Sequence, residues 1–153
     1  MKKLALEIGT LFLLASVLPT VAASMIYKTS GNGYYSCLDG QTCHTSWTAQ
    51  VDKFGQVKGD AQTQQRSGLG TLHAHINGLY VVGSTAFVRG VVYNPLDAMH
   101  RPRVEICFVV KDGGNGGVDQ ITRWYYDMDL PDCVINEPRL EFHELLGGNA
   151  IVA

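Results

Sequence analysis

The sequence has little charge of either sign, and it lacks the basic excess of a nucleic-acid-binding protein. Its 153 residues include 12 Lys and Arg and 14 Asp and Glu, a formal net charge of −2 at pH 7. Charge this sparse and mixed offers no attraction for nucleic acid or for an anionic membrane. Beyond the N-terminal region, no apolar run approaches the roughly 20 residues that a bilayer span requires. We therefore expect no nucleic-acid partner and no membrane span after the N-terminal segment.

The signatures of common hydrolases are missing too. The sequence contains no G-x-S-x-G motif, which marks the nucleophilic serine of many hydrolases. Glu141 and Glu144 are an odd number of residues apart, so a regular strand would point them to opposite faces and not pair them as in a glycosidase. These absences predict no catalytic residues and favour a domain without enzymatic activity.

The N-terminus has the composition of a secretory signal peptide. Lys2 and Lys3 precede an almost wholly apolar stretch, residues 8–19, and small residues follow it up to Ala23. A basic end, a short apolar middle and small residues at the exit are typical of a signal that is cleaved on export. We expect residues 1–23 to be this signal and residues 24–153 to form one domain. The protein is then secreted, periplasmic or at the cell surface.

Four cysteines follow the predicted signal. An even number in an exported chain favours two disulfides, although three pairings are open from sequence alone. We prefer one bond that closes a small loop and one that ties a central strand to a later loop. A zinc site is the alternative, but the spacings lack a C-x₂-C knuckle. The preferred pairs are Cys37–Cys43 and Cys107–Cys133.

The predicted domain shows no sustained helical periodicity. Instead, polar and apolar residues alternate in short segments that are bounded by Gly, Asn, Asp or Pro. Residues 104–126 predict a central hairpin whose first strand places Ile106, Phe108 and Val110 on one face and Cys107 and Val109 on the other. Residues 30–33 and 77–78 are typical of turns, and 127–138 is predicted as a loop. We expect an all-β fold, a single antiparallel β-sandwich or meander barrel of about eight short strands.

The order of several short motifs resembles that of a known family. The segments are FG at 54–55, KG at 58–59, LHAH at 72–75, VGSTA at 82–86, VRG at 88–90, VVKDGGNGGVD at 109–119 and GGNAI at 147–151. This order is similar to the post-COAP domain, a small all-β module of exported bacterial proteins with a VxDxGxxGxxD hairpin. The resemblance implies an extracytoplasmic β domain and no established activity. The cysteines and the segments 94–102 and 127–138 depart from the family pattern.

Two histidines are the candidate transition-metal ligands. His73 and His75 are two residues apart, so on a strand they share a face and could bind one zinc ion. Alternatively, they are polar residues on a solvated face, alternating with apolar ones. No third ligand can be placed by spacing; the residues considered are His44, His100, His143 and Glu144.

The hairpin loop is the candidate calcium site. Asp112, Asn115 and Asp119 could offer oxygen atoms to Ca²⁺, and the glycines between them would let carbonyl groups turn inward. The segment resembles a GGxGxD calcium repeat, but it is one residue longer and occurs once, whereas such repeats stack in arrays. The alternative is a hairpin loop whose acidic side chains accept bonds from neighbouring backbone amides.

An aromatic segment after the hairpin is the candidate ligand-binding strand. Arg123, Trp124 and Tyr126 could meet a glycan or a protein partner, because aromatic rings beside arginine often form binding surfaces. Alternatively, these residues belong to the core and its girdle. The expected function is thus a structural or ligand-binding role outside the cytoplasm. The alternatives are a metal-dependent, hydrolase-like enzyme using His73 and His75, and a calcium-stabilised surface domain.

Overall fold

The computed structural model describes residues 27–37, 40–65, 70–94 and 103–153. The predicted signal, residues 1–23, lies outside these residues, and so does His100. No helix in the described part of the chain is long and apolar enough to cross a membrane.

The described residues form one antiparallel sheet of ten strands and one short α-helix, which confirms the all-β prediction. The sheet order is β10-β1-β2-β3-β4-β5-β6-β7-β9, with β8 also paired to β6. The single, nearly closed sheet corresponds to the barrel rather than the sandwich. The strands are β1 (Lys28–Ser36), β2 (Thr42–Val51), β3 (Val57–Gln65), β4 (Thr71–Val82), β5 (Thr85–Val92), β6 (Glu105–Lys111), β7 (Gln120–Thr122), β8 (Tyr125–Tyr126), β9 (Phe142–Glu144) and β10 (Leu146–Val152).

The barrel closes because β9 and β10, adjacent in the chain, stand at opposite ends of the sheet order. β9 pairs with β7, and β10 pairs with β1. Leu145 joins them, and its N–H donates to the Asp119 carbonyl oxygen at 2.9 Å. The chain thus returns from the last strands of the meander to the first.

Two carboxylates complete this closure at the edge of β10 that has no neighbouring strand. One edge of β10 pairs with β1, and its other edge faces the β6–β7 hairpin. There Ala150 N–H donates to Asp119 Oδ2 at 2.7 Å, and Val152 N–H donates to Asp112 Oδ2 at 3.1 Å. The remaining oxygens fold the hairpin loop: Asp119 Oδ1 accepts from Gly113 N–H at 2.9 Å, and Asp112 Oδ1 accepts from Gly114 N–H at 2.7 Å. The two side chains therefore act as a substitute strand along β10.

The central hairpin forms as predicted, with β6 antiparallel to β7. Its first strand separates two cores. Ile106, Phe108 and Val110 lie in the barrel interior, whereas Cys107 and Val109 belong to a second, outer cluster. The strand is buried on both faces because the segment after the hairpin covers its outer side.

Aromatic rings fill the interior. The Phe108 ring stacks on Trp124 with centroids 5.8 Å apart and meets Trp47 edge-on at 6.1 Å. Trp47 Nε1–H donates to Thr29 Oγ1 at 3.1 Å, which satisfies this buried donor. The core thus links β1 and β2 to the central hairpin across the barrel.

The segment predicted as a loop, 127–138, contains the helix α1 (Leu130–Asn136), so that prediction was wrong. Asp129 caps the helix by accepting from Asp132 N–H at 2.8 Å, and Pro131 stands in its first turn. An acidic cap followed by proline is a start signal for a helix, but seven residues are too few to show a helical period. The helix covers the outer face of β6, to which the Cys107–Cys133 disulfide attaches it.

Two predicted turns are also wrong, because both segments continue strands. Residues 30–33 lie within β1, whose pairing with β10 shifts register around Gly33, and Gly78 follows a similar shift in β4. At Gly31 a Cβ atom would overlap the Trp47 ring, so the glycine makes room for core packing. These glycines permit bulges and close contacts within strands, which local sequence does not separate from turns.

The two disulfides agree with the preferred pairing, and they should contribute different amounts to the free energy of unfolding. Cys107–Cys133 spans 26 residues and Cys37–Cys43 spans 6. Because a longer closed loop removes more entropy from the unfolded chain, replacing the first pair by alanines should cost about 3.5 kcal/mol and the second about 2 kcal/mol. Urea denaturation of the two double variants measures both losses. The reverse order would contradict this assignment.

Barrel closure predicts a large effect of one acidic side chain. Asp119→Ala leaves the N–H groups of Gly113 and Ala150 without their acceptor, so it should lower the free energy of unfolding by about 2 kcal/mol or more. Asn115→Ala, in the same loop, is the matched control and should change it by less than about 0.5 kcal/mol. Equal effects in urea denaturation would rule out a closing role for Asp119.

Candidate functional site

The outer surface of the barrel has two different halves. Over β5 and β6, apolar side chains such as Phe87 and Val109 are buried beneath α1 and the residues that follow it. Over β1 to β4 and β10, the outward residues are exposed or half-exposed, and many are polar, although Tyr34, Tyr80 and Ile151 are exposed there too. This second half offers rows of uncovered polar side chains to a ligand.

A row of five polar residues crosses this uncovered half, one from each strand. The strand register places Asn149 opposite Asn32, Asn32 opposite Ser46, Ser46 opposite Gln62, and Gln62 opposite His73. Directly opposed residues on one face are the nearest cross-strand neighbours in a sheet. We call this set the amide row; it spans β10, β1, β2, β3 and β4.

The amide row lines a groove of about 450 Å³ on the outer face. Within the described chain, no hydrogen bond joins the side chains of Asn32, Ser46, Gln62 or Asn149 to another protein group. Amide and hydroxyl groups both donate and accept, so the groove presents unused hydrogen-bonding capacity of both kinds. A groove of this size suits a small molecule or part of a longer chain.

A second row lies beside the first, with Ser30, Thr48, Asp60 and His75 in register. His75 Nδ1 and Asp60 Oδ1 are 2.8 Å apart, and the His75 ring stacks on Tyr93 with centroids separated by 4.2 Å. This contact fixes the carboxylate and the ring at the β4 side of the groove. At the β1 side, the Tyr34 and His44 rings lie 4.9 Å apart.

The groove continues into a second volume, also of about 450 Å³, lined by Lys28, Gln50 and Lys58. The Lys58 ammonium lies 3.5 Å from Asp52 Oδ2, at the β2–β3 turn. Hydrogen bonds from the backbone N–H groups of Gln56 and Phe54, together with Lys58, hold the pKa of Asp52 below its ordinary value. Asp52 thus fixes the turn beside this end of the groove.

The histidines predicted as metal ligands do share the outer face, as their spacing requires. His143 lies instead on β9, where its ring is 5.9 Å from the ring of Tyr35. Burial raises the pKa of the Tyr35 hydroxyl. Among the described residues, no group of three or more His, Cys, Asp or Glu side chains is arranged to hold a metal ion. His73 lines the groove, and His75 lies beside it, bonded to Asp60.

Asp112 and Asp119, two of the three predicted calcium ligands, lie at the base of the hairpin loop with their oxygens already bonded, and Asn115 is exposed at its turn. Both oxygens of Asp112 and both of Asp119 accept backbone N–H groups, as described for the closure. The structure therefore shows the alternative considered for this loop, in which acidic side chains accept bonds from backbone amides. Two of those amides belong to β10, which is distant in sequence. An ion at this loop would have to share those oxygens with the backbone N–H groups.

The predicted ligand-binding strand is divided between the core and the surface. Trp124 is 4 % exposed and stacks on Phe108, so its ring belongs to the interior. Arg123 lies over the Tyr125 ring at 5.2 Å, and Tyr126 is exposed. Alternation fails here because the chain breaks strand pairing between β7 and β8, which turns Trp124 inward on the same side as Ile121.

Sequence reasoning missed most of the groove. Asn32 lies in a predicted turn and Asn149 in the GGNAI segment of the family resemblance, whereas Ser46 and Gln62 belong to no motif. The available signal was polar alternation in neighbouring strands, but only the register shows that these residues align. His73 is the single residue common to the predicted sites and the amide row.

The occupied carboxylates of the hairpin predict that calcium does not stabilise this fold. Adding millimolar CaCl₂, or removing calcium with EGTA, should shift Tm by less than about 1 °C, because a ligand stabilises only the state it binds. Differential scanning calorimetry checks this. A calcium-dependent rise of several degrees that disappears in Asn115→Ala would instead support the calcium site.

Comparisons with known proteins found no match for this chain. No family model matches it. No curated protein and no solved structure matches it either.

Proposed function

We propose that the protein is an extracytoplasmic binding domain that holds a saccharide in the groove of the amide row. The observation that carries this proposal is the register of Asn149, Asn32, Ser46, Gln62 and His73 across five strands. With strands about 4.8 Å apart, the row is about 19 Å long. That length accommodates an oligosaccharide lying across the strands.

The chemistry of the row favours a sugar over a protein partner. Each sugar hydroxyl donates and accepts hydrogen bonds, and the amides of Asn32, Gln62 and Asn149 do the same. A protein interface usually has an apolar, aromatic-rich centre, whereas the centre of this groove is amide and hydroxyl. The paired rings of Tyr34 with His44 and of His75 with Tyr93 flank the groove and offer flat surfaces to a sugar ring.

The disulfides support the proposed location. Two disulfides are consistent with folding in an oxidising compartment, and residues 1–23 have the composition of an export signal. The resemblance to the post-COAP domain implies the same setting. A secreted, periplasmic or surface protein meets glycans directly.

A glycan array followed by calorimetry on the best-bound oligosaccharide tests the proposal. Gln62→Ala removes a side chain from the centre of the row, and it should weaken that binding about tenfold, the loss expected for one or two hydrogen bonds. Gln64→Ala is the matched control, since Gln64 is an exposed glutamine of the same strand and face that does not line the groove. It should change Kd by less than about twofold.

Two results would contradict the proposal. One is an array on which no saccharide binds. The other is saccharide binding that Gln62→Ala and Gln64→Ala reduce equally, which would place the site elsewhere. Retention of Tm in both variants shows that a lost affinity reflects the groove and not unfolding.

A further inference from the structure

We propose that the end of the groove beyond the amide row is an anion subsite, so that the saccharide is acidic and places a carboxylate or sulfate group between Lys28 and Lys58. This inference rests on the proposed function. It adds the ligand's charge and its orientation in the groove.

The strand register brings the two lysines to one place. Lys28 lies opposite Gln50, and Gln50 lies opposite Lys58, so the three side chains form a row parallel to the amide row. The lysines are two strand spacings apart, about 10 Å between Cα atoms. Their ammonium groups can therefore approach one anion from both sides, with the Gln50 amide between them as a further donor.

Neither ammonium is held by a strong ion pair. Lys28 forms no ion pair with any described residue. Lys58 contacts Asp52 at 3.5 Å, but its side chain is 65 % exposed, and an exposed pair of this kind contributes little. Both charges therefore remain available to a ligand that enters the groove.

The one carboxylate in the groove determines the ligand's orientation. Asp60 lines both volumes, and the bond between its Oδ1 and His75 Nδ1 fixes the position of its carboxylate. Lys58 is two residues further along the same face, about 7 Å away. An anionic group is repelled near Asp60 and attracted at the lysine row. The acidic sugar therefore lies at the lysine end, and neutral hydroxyls lie along the amide row.

The experiment measures binding to matched pairs of oligosaccharides. Uronate oligomers are compared with the same oligomers reduced at the carboxyl group, and sulfated galactan oligomers with their desulfated forms. In at least one pair, the acidic member should bind about tenfold more tightly at 50 mM NaCl, and the preference should fall as salt rises. The uronate and sulfate pairs identify which anion the subsite takes.

Variants assign that preference to the lysines. Lys28→Gln/Lys58→Gln should remove it while leaving the affinity for the neutral member within about twofold. Lys53→Gln is the matched control, because Lys53 is a lysine of the β2–β3 turn that lies over Phe54 and lines neither volume. It should retain the full preference.

The outcomes separate this inference from the proposed function. If neutral oligosaccharides bind in a Gln62-dependent manner and no pair shows a preference for the acid, the anion subsite is wrong and the saccharide groove stands. If the preference persists in Lys28→Gln/Lys58→Gln, the subsite is also wrong. If no member of any pair binds, the anion subsite is wrong, and the glycan array decides whether the saccharide groove stands.

Discussion

The structure depends on how the free edge of its last strand is satisfied. β10 has one neighbour, β1, and the N–H groups of Ala150 and Val152 point away from it. A strand edge left in this state is unstable and prone to pair with other chains. The carboxylates of Asp112 and Asp119 accept these two bonds, and with their remaining oxygens they shape the loop that carries them.

Closure also builds the proposed binding face. Because β10 is fixed beside β1, Asn149 comes to lie opposite Asn32 and extends the amide row to a fifth strand. The other half of the outer surface is used differently, since α1 and the Cys107–Cys133 disulfide cover β6. The barrel thus has a structural side and an uncovered polar side. The proposed saccharide groove and its lysine end lie on the uncovered side.

The parts of this fold that follow from local pattern could be predicted from the sequence. Alternation along 104–111 separates Ile106 and Phe108 from Cys107, and the structure places them in two cores. Glycine did not reliably indicate turns. Gly31, for example, lies within a strand and makes room for the Trp47 ring. The amide row could not be predicted, since it exists only once five strands are in register. Alternation alone could not decide between a surface and a core position for Trp124, because an irregular step between β7 and β8 turns its ring inward.

Hydrogen exchange of the β10 backbone amides tests the central claim most directly. If the carboxylates of Asp112 and Asp119 act as a substitute strand, the amides of Ala150 and Val152 should exchange at least about 100-fold more slowly than in an unfolded chain, although no strand pairs with that edge. In Asp119→Ala, Ala150 should lose this protection first. Exchange of Ala150 and Val152 at unprotected rates in the unsubstituted protein would contradict the account.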